Sequence, residues 1–292
     1  MTVVEAFPIP HVTTIGFHGL TYLVGDFLDS GSESRIHSAK RVSGTSDDVP
    51  NDVAIKFYCP TVESHLQKID LEVIALSALA SLNTPNLIRI YAVGDVPAMM
   101  NPSEPKCRFI VLNRAGRDLE RYMSPSDDFN SPLLDGVVPS VTGKLSVEAF
   151  AASVGLIICD LVDLIHKQGV AHNDIRDYNI ALNYPFGDQP VLLDFGGAST
   201  RDSVSEKVFQ KHRMEDHDDV VRLVRNLIGS RIIKEFGKDA RSALMQKSPL
   251  VRSLLQVTEI DILRLKLSSF LLQYLEINWD AITYKEIIYH IV

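Results

Sequence analysis

The sequence has few cysteines, no long block of basic residues and no apolar run long enough to cross a membrane. The three cysteines are scattered with no CxxC pair, so we expect reduced thiols rather than a disulfide framework. They are Cys59, Cys107 and Cys159. The net charge of −8 gives no support to binding of nucleic acid or of an anionic membrane. We therefore expect neither nucleic acid nor membrane among the partners.

The first residues also lack a leader pattern. The opening MTVVEAFPIPHVTTIGF has no charged region followed by a continuous apolar core, so we predict no signal peptide. With 46% hydrophobic and 23% charged residues, the chain can bury one two-lobed domain or two small ones. Together with the expectation of reduced cysteines, these features predict residence in the cytoplasm, with the nucleus as an alternative.

The front of the chain is rich in strand patterns. Residues 21–31, 34–42 and 52–58 are rich in β-branched or aromatic residues and separated by polar stretches, which predicts consecutive antiparallel strands. From Thr61 to about Leu82, apolar residues recur every three or four positions, the period of an amphipathic helix. Two more strand-like runs follow, NLIRIYAVG and CRFIVL. The pattern predicts a small antiparallel sheet with one helix.

The back of the chain is rich in helix patterns. Residues 124–145 contain three prolines and two glycines and predict a loop or insertion. A buried helix is predicted after Ser146, with Gly169 at its end. Beyond it the chain is predicted to be mostly helical, with short strands only at NIAL and PVLLDF. The fold class predicted for the whole chain is therefore α+β.

Three motifs follow one another along the chain: VAIK (53–56), HNDIRDYN (172–179) and DFG (194–196). Their order and approximate spacing resemble the protein-kinase signature set. On these residues the chain resembles a divergent member of the eukaryotic-type protein kinase superfamily, over most of residues 21–230.

The resemblance implies a two-lobed protein-kinase-like fold. A small lobe with an antiparallel β-sheet and one helix would precede a larger, mainly α-helical lobe. The N-terminal nucleotide-binding lobe would span residues 1–112, including an N-terminal extension over 1–20. The C-terminal catalytic lobe would span 113–292.

The resemblance also implies that ATP and Mg²⁺ are bound. Phosphoryl transfer needs a nucleotide held in place, metal ions on the phosphate oxygens and a hydroxyl acceptor oriented in line. By resemblance, Asp174 would accept or orient the acceptor's proton, and Arg176 would supply positive charge near the transferred phosphate. Asn179 and Asp194 would bind magnesium, because hard cations take carboxylate and carbonyl oxygens.

Lys56 and Glu72 form the predicted phosphate-binding pair. Period-two alternation puts Lys56 on the strand face of Ala54 and Tyr58, where it could reach phosphates beside an adenine over Ala54. Glu72 lies within the apolar stripe of its helix, and a core-facing carboxylate needs a cation. We therefore predict that Glu72 pairs with Lys56. A surface pair with Lys68 is the alternative.

The other nucleotide contacts come from two segments. A phosphate-covering loop of this family has the pattern G-x-G-x-x-G-x-V, whereas DSGSESRI keeps only Gly31, with Ile36 at the valine position. The backbone approaches a phosphate most easily at glycine. Because this loop keeps only one glycine of the pattern, it is less suited to covering the phosphates. The segment NRA would be the hinge that meets adenine, through Asn113 and Ala115.

The segment after DFG departs from the family. It contains no proline and therefore no A-P-E motif, and Asn173 replaces the arginine that holds a phosphorylated loop in many kinases. The stretch DDVVRLVRNLIG resembles the family's central helix, with Asp219 as the buried anchor under the catalytic loop. The group HRMEDH offers two histidines, but at five residues apart they share a helical face poorly, which disfavours a metal site.

The predicted function is transfer of the γ-phosphate of ATP to a hydroxyl, most simply a Ser or Thr hydroxyl of a protein substrate. One alternative is a small-molecule kinase of the aminoglycoside- or choline-phosphorylating type, which the missing A-P-E motif favours. Another is a pseudokinase that acts as a binding or scaffold module. The depleted glycine loop favours the pseudokinase, and the retention of every catalytic acid opposes it.

Overall fold

The computed structural model describes residues 14–30, 34–58, 64–96, 107–120, 147–183, 189–236, 257 and 259–277. Gly31, the predicted loop over 124–145 and the C-terminal tail lie outside the described residues. The chain divides into two compact units, one formed by 1–82 with 88–115 and the other by 83–87 with 116–292. The division lies close to the expected boundary after Leu112, while the assignment of one lobe to nucleotide binding and one to catalysis stays a prediction.

The first unit contains an antiparallel sheet of six strands in the order β1-β2-β3-β4-β6-β5, and one helix. Its elements are β1 (Thr14–Phe17), β2 (Leu20–Ser30), β3 (Ser34–Ser43), β4 (Asp52–Tyr58), α1 (Ser64–Ala78), β5 (Ile90–Asp95) and β6 (Arg108–Asn113). Strand β1 lies within the predicted N-terminal extension and pairs with β2. The turn between them uses His18 and Gly19, both with positive φ, a conformation that glycine adopts readily.

The core of the first unit lies against β4. Val53, Ile55 and Phe57 point to one face and are at most 1% exposed. They pack with Phe109 and Val111 of β6 in one apolar cluster. Each large apolar side chain buried this way contributes about 1.5–3 kcal/mol. The opposite face of β4 is buried as well, which means that polar groups there need partners inside the protein.

The second unit is mainly helical and carries two small sheets, β10-β9-β7 and β11-β8. The pairs β10-β9 and β11-β8 are antiparallel. Its elements are β7 (Ala115–Asp118), α2 (Val147–Lys167), β8 (Val170–Ala171), β9 (Ile180–Asn183), β10 (Pro190–Leu192), β11 (Ser199–Thr200), α3 (Glu206–Phe236) and α4 (Ile260–Ile277). Helix α2 packs against α3 and α4. Gly155 permits this approach, because a Cβ there would collide with Val224. Two short 3-10 turns, Asp177–Asn179 and Phe195–Gly197, interrupt the loops.

The end of α2 lies where the sequence predicts it, whereas α3 begins earlier than expected. Gly169 ends α2 as predicted, with φ of 77° and an N–H that donates to the carbonyl of His166 at 3.0 Å. Helix α3 is 31 residues long and begins at Glu206, ahead of the DDVV stretch by which the sequence located it. In the described part of the chain, no helix is both long enough and apolar enough to span a membrane.

The cysteines correct one prediction. Cys107 is disulfide-bonded, and its partner lies outside the described residues. Cys159 is free and buried, and burial raises its pKa to about 12. The expectation of reduced thiols is therefore wrong for Cys107. Spacing along the sequence cannot show which cysteines the fold brings within bonding distance of one another.

Candidate active site

In the first unit, Glu72 of α1 meets Lys56 of β4. The Lys56 ammonium lies 2.8 Å from Oε2 and 3.2 Å from Oε1 of Glu72. The two residues are 5% and 1% exposed, so water contributes little to solvating either charge. A buried charge is stable only when it is paired, and each member here stabilises the other. The predicted contact is present, and its part in nucleotide binding stays a prediction.

Tyr58 is a third member of this cluster. Its hydroxyl donates to Oε2 of Glu72, and its ring centroid lies 5.1 Å from the Lys56 ammonium. Burial raises the pKa of Tyr58 well above its usual value of 10, against the opposing effect of the Lys56 charge. The phenol therefore remains a donor. Sequence analysis placed Tyr58 on this face but gave it no role; the period of two along β4 was the available signal.

The strand register brings further predicted residues onto the same face. Ile36 lies opposite Lys56 across β3 and β4, and Leu112 lies opposite Ala54 across β4 and β6. Directly opposed residues of antiparallel strands point to the same side of the sheet. Ile36, Ala54 and Lys56 therefore share one face. Ile36 is half-buried and Ala54 is buried. Gly31 lies outside the described residues.

The predicted hinge follows β6. Asn113 is the last residue of that strand, and its N–H donates to the carbonyl of Arg89 at 3.1 Å. The Asn113 side-chain oxygen accepts from the N–H of the same Arg89. Ala115 begins β7 and is half-buried. Because the Asn113 N–H is engaged with Arg89, a ligand at this segment would meet other backbone groups.

In the second unit, the loop around Asp174 is tied together by its own side chains. Oδ2 of Asp174 accepts from Arg176 at 2.6 Å and from the Asn179 amide at 2.8 Å. The same Asn179 nitrogen donates to the Asp174 carbonyl at 2.9 Å. The Asp174 side chain remains 37% exposed. Its carboxylate is therefore fixed in direction while solvent still reaches it.

His172 connects this loop with the DFG segment. Its Nε2 donates to the Leu193 carbonyl at 2.8 Å, and its Nδ1 accepts from the Asp174 N–H at 3.3 Å. These partners define the neutral imidazole with the proton on Nε2. The ring also lies edge-on to Phe195, with centroids 4.6 Å apart. The fully buried His172 thus fixes the loop against the residues on both sides of Asp194.

The two predicted magnesium ligands lie on neighbouring segments. The Leu193 N–H donates to the Asn179 carbonyl at 2.8 Å, which brings the residue before Asp194 beside Asn179. Asp194 is exposed and has φ of 58°. A non-glycine residue in this left-handed region is strained by about 1–3 kcal/mol, and such strain concentrates at functional sites. Asn173 has the same feature, with φ of 66°.

The buried anchor of the loop is Asp216, and the prediction of Asp219 is wrong. Asp216 is fully buried and accepts from the N–H groups of His172 at 2.8 Å and Asn173 at 2.7 Å. It also accepts from Nε2 of His166 at 2.8 Å. Asp219, one turn later on α3, is half-buried and pairs with Arg222. The loop that carries His172 and Asn173 therefore contacts α3 at the turn of Asp216, one turn before Asp219.

A neutral side chain holds the segment after DFG. The Asn173 amide donates to the Gly197 carbonyl at 2.9 Å and to the Ser199 hydroxyl at 3.3 Å. Ser199 is 6% exposed, and its hydroxyl lies 2.8 Å from Nδ1 of His212. The segment is therefore fixed by hydrogen bonds from a neutral amide. His212 belongs to this network.

Comparisons with known proteins bear on the fold. No protein-family description matches the chain, and no curated protein matches it by sequence. Among solved structures, the crystal structure of the BubR1 kinase domain matches with a TM-score of 0.60 and 15% sequence identity. The match covers 92% of this chain and 85% of that one. The fold is kinase-like. At this identity the likeness concerns the fold alone, and it agrees with the α+β class expected from the sequence.

Proposed function

We propose that the protein is an ATP- and Mg²⁺-dependent phosphotransferase. The observation that carries this proposal is the setting of Asp174, whose Oδ2 is held by Arg176 and Asn179 while the side chain stays open to solvent. The second oxygen, Oδ1, would receive the proton of an acceptor hydroxyl. A carboxylate fixed in this way is what general-base or orienting catalysis requires.

The residues around the loop fit a magnesium ion. Asn179 uses its amide nitrogen to bind Asp174, and its amide oxygen would bind the cation. Asp194 adds an exposed carboxylate on the adjoining segment. Both are oxygen ligands, the kind that Mg²⁺ prefers. Bound there, the ion would neutralise phosphate charge.

The proposed nucleotide contacts come from the first unit. Lys56, held by Glu72 and Tyr58, would meet the phosphates, and its position is fixed before any ligand arrives. Ala54 and Ile36, on the same sheet face as Lys56, would contact the base. Asn113, Ala115 and Gly31 complete the set that resemblance assigns.

The primary candidate for the acceptor is a Ser or Thr hydroxyl of a protein. A small-molecule hydroxyl is the second candidate, because one observation favours it. Only residues 198–205 separate the 3-10 turn at Phe195–Gly197 from α3, and Ser199 within them is buried and hydrogen-bonded. So short and fixed a segment offers little surface on which a peptide could dock.

The test follows phosphate from ATP in the presence of Mg²⁺, with panels of protein and small-molecule acceptors. We expect transfer to one panel, and we expect Asp174→Asn to slow it by roughly 100-fold or more, the scale for a positioned base. Asp177→Asn is the matched control, since this neighbouring carboxylate is outside the proposed set, and it should keep the wild-type rate within a few-fold.

A thermal melt separates binding from transfer. Mg²⁺ with ATP should raise the melting temperature of the wild type and of Asp174→Asn alike, and Lys56→Met should shrink that rise. The proposal would be contradicted if the wild type transferred no phosphate and if Mg²⁺ with ATP did not raise its melting temperature. The alternative of a binding or scaffold module would then remain. A rise in melting temperature without phosphate transfer to any acceptor would indicate that the protein binds the nucleotide but does not catalyse transfer.

A further inference from the structure

Three side chains that could bind a metal converge between two helices of the second unit. Asp163 and His166 lie one turn apart on α2, and His217 lies on α3. One ligand atom from each residue lies within 4.8 Å of the other two. His166 is 2% exposed, and the other two residues are half-buried. This cluster includes neither Asp174 nor either of the predicted magnesium ligands.

Two nitrogens of the cluster lack a hydrogen-bond partner. Nδ1 of His166 and Nε2 of His217 are buried, and neither meets a donor or acceptor among the described residues. A buried polar atom without a partner destabilises a fold by about 1–3 kcal/mol. The two rings come from different helices, with centroids 5.2 Å apart. An occupant that binds both nitrogens would account for the arrangement.

The hydrogen bond made by His166 leaves a nitrogen that can bind a cation. Nε2 of His166 lies 2.8 Å from a carboxylate oxygen of Asp216, which keeps the proton on Nε2 and leaves a lone pair on Nδ1. Metal-binding histidines commonly donate their second ring N–H to a carboxylate in this way. On the facing helix, Nε2 of His217 is likewise buried and offers the second imidazole nitrogen.

The surrounding charge also favours a cation. Asp163 bonds Arg264, and the same guanidinium pairs with Asp160 at 2.7 Å and with Asp261 at 2.8 Å. One guanidinium thus faces three carboxylates, and a second, Arg213, lies near His217. Asp216 adds a fourth negative charge on the other side of His166.

We propose that Asp163, His166 and His217 bind a divalent transition-metal ion of the Zn²⁺ class. Two imidazoles and one carboxylate are ligands that zinc accepts, and three protein ligands leave a fourth position for water. Bonds of about 2.0–2.2 Å place tetrahedral ligands about 3.3–3.6 Å apart, so the side chains would close inward through their torsions. The ion would join α2 to α3, and through Asp216 it would act on the loop that carries Asp174. The site does not depend on the phosphotransferase activity.

The test uses the full chain with any affinity tag removed and with metals stripped by a chelator. Calorimetric titration with Zn²⁺ should give one equivalent bound, and His217→Gln should weaken that binding at least tenfold, the scale for losing a ligand or its support. Asp163→Asn should weaken it as well. His212→Gln is the matched control on the same helix, and it should bind like the wild type.

Cobalt supplies a second readout that needs no variant. Co²⁺ bound in place of Zn²⁺ should show the strong visible absorption of a four-coordinate site, and X-ray absorption of the zinc form should show two imidazoles. A metal-free melt establishes whether His217→Gln is folded. Absence of stoichiometric zinc binding by the wild type would overturn the proposal, and so would a zinc form without imidazole ligands. Equal affinity in folded His217→Gln would overturn it too.

Discussion

Two buried carboxylates, one in each unit, differ in their partners. Among the described residues, Glu72 in the first unit is bound by two side chains, the Lys56 ammonium and the Tyr58 hydroxyl. Asp216 in the second unit is bound by two backbone N–H groups and one imidazole N–H. Both carboxylates are at most 1% exposed. Burial is therefore equal, and the donors differ.

The difference indicates what each carboxylate does. Backbone donors cannot be moved without moving the chain, so Asp216 determines the path of the loop through His172 and Asn173. Side-chain donors move by rotation, so Glu72 determines where the Lys56 charge lies. One carboxylate shapes the backbone beneath Asp174, and the other positions a single cation. Substitutions should separate these two functions.

The largest effect is expected for Asp216→Ala. The change leaves two backbone N–H groups and the His166 N–H without an acceptor in a fully buried site. With about 1–3 kcal/mol for each lost partner and some relaxation, unfolding should become easier by about 3–5 kcal/mol. Chemical denaturation measures this loss. The proposed phosphate transfer should fall as well, since the loop loses its anchor.

Two further variants serve as comparisons for Asp216→Ala. Asp216→Asn keeps one carbonyl acceptor, and we expect a smaller loss of stability than for alanine. Asp218→Ala removes an exposed carboxylate two residues away on the same helix and should change stability by no more than about 0.5 kcal/mol. Equal losses for Asp216→Ala and Asp218→Ala would show that the buried network contributes nothing.

Much of the fold could be predicted from local patterns. Strands of period two and a helix of period 3.6 are set by residues within a few positions of one another, which is why β4, α1 and the end of α2 at Gly169 agree with the sequence. The pairing of Lys56 with Glu72 followed from the same periodicities. Patterns of this kind need no knowledge of the rest of the chain.

The choice of Asp216 over Asp219 needed long-range information. The stretch HRMEDHDD is polar on every face, so its composition does not set which side of α3 is buried. The donors to Asp216 come from residues more than 40 positions earlier. The disulfide at Cys107 and the convergence of His166 with His217 likewise depend on packing between distant segments.

A smaller effect is expected for Glu72→Gln. The amide keeps an acceptor for Tyr58 but removes the negative charge beside the buried Lys56, and we expect a loss of about 2 kcal/mol in unfolding free energy. Asp70→Asn on the same helix is the control. Asp70 is exposed and pairs with Arg108 at the surface, so its loss should be about 0.5 kcal/mol or less. If both variants lose equally little, the Lys56 charge does not rely on Glu72.

The smallest effect is expected for Tyr58→Phe. The change removes one donor to Glu72 while Lys56 remains, so at neutral pH the variant should be less stable by about 1 kcal/mol. The loss is smaller than for Glu72→Gln because the ion pair between Lys56 and Glu72 is retained. Denaturation of both proteins near pH 8 measures it.

The pH dependence of that difference tests the buried hydroxyl directly. Because burial raises the pKa of Tyr58 in the folded state, its contribution is complete below the unfolded value of about 10 and is lost as pH rises toward the folded one. The pKa values of Tyr22 and Tyr91 are raised as well, but both residues remain in the variant, so their effects cancel. The stability advantage of the wild type over Tyr58→Phe should shrink by up to about 1.4 kcal/mol per pH unit above 10. A difference that stays constant between about pH 8 and 11 would mean that the Tyr58 hydroxyl is not buried against Glu72, and the cluster that holds Lys56 would be reduced to a simple ion pair.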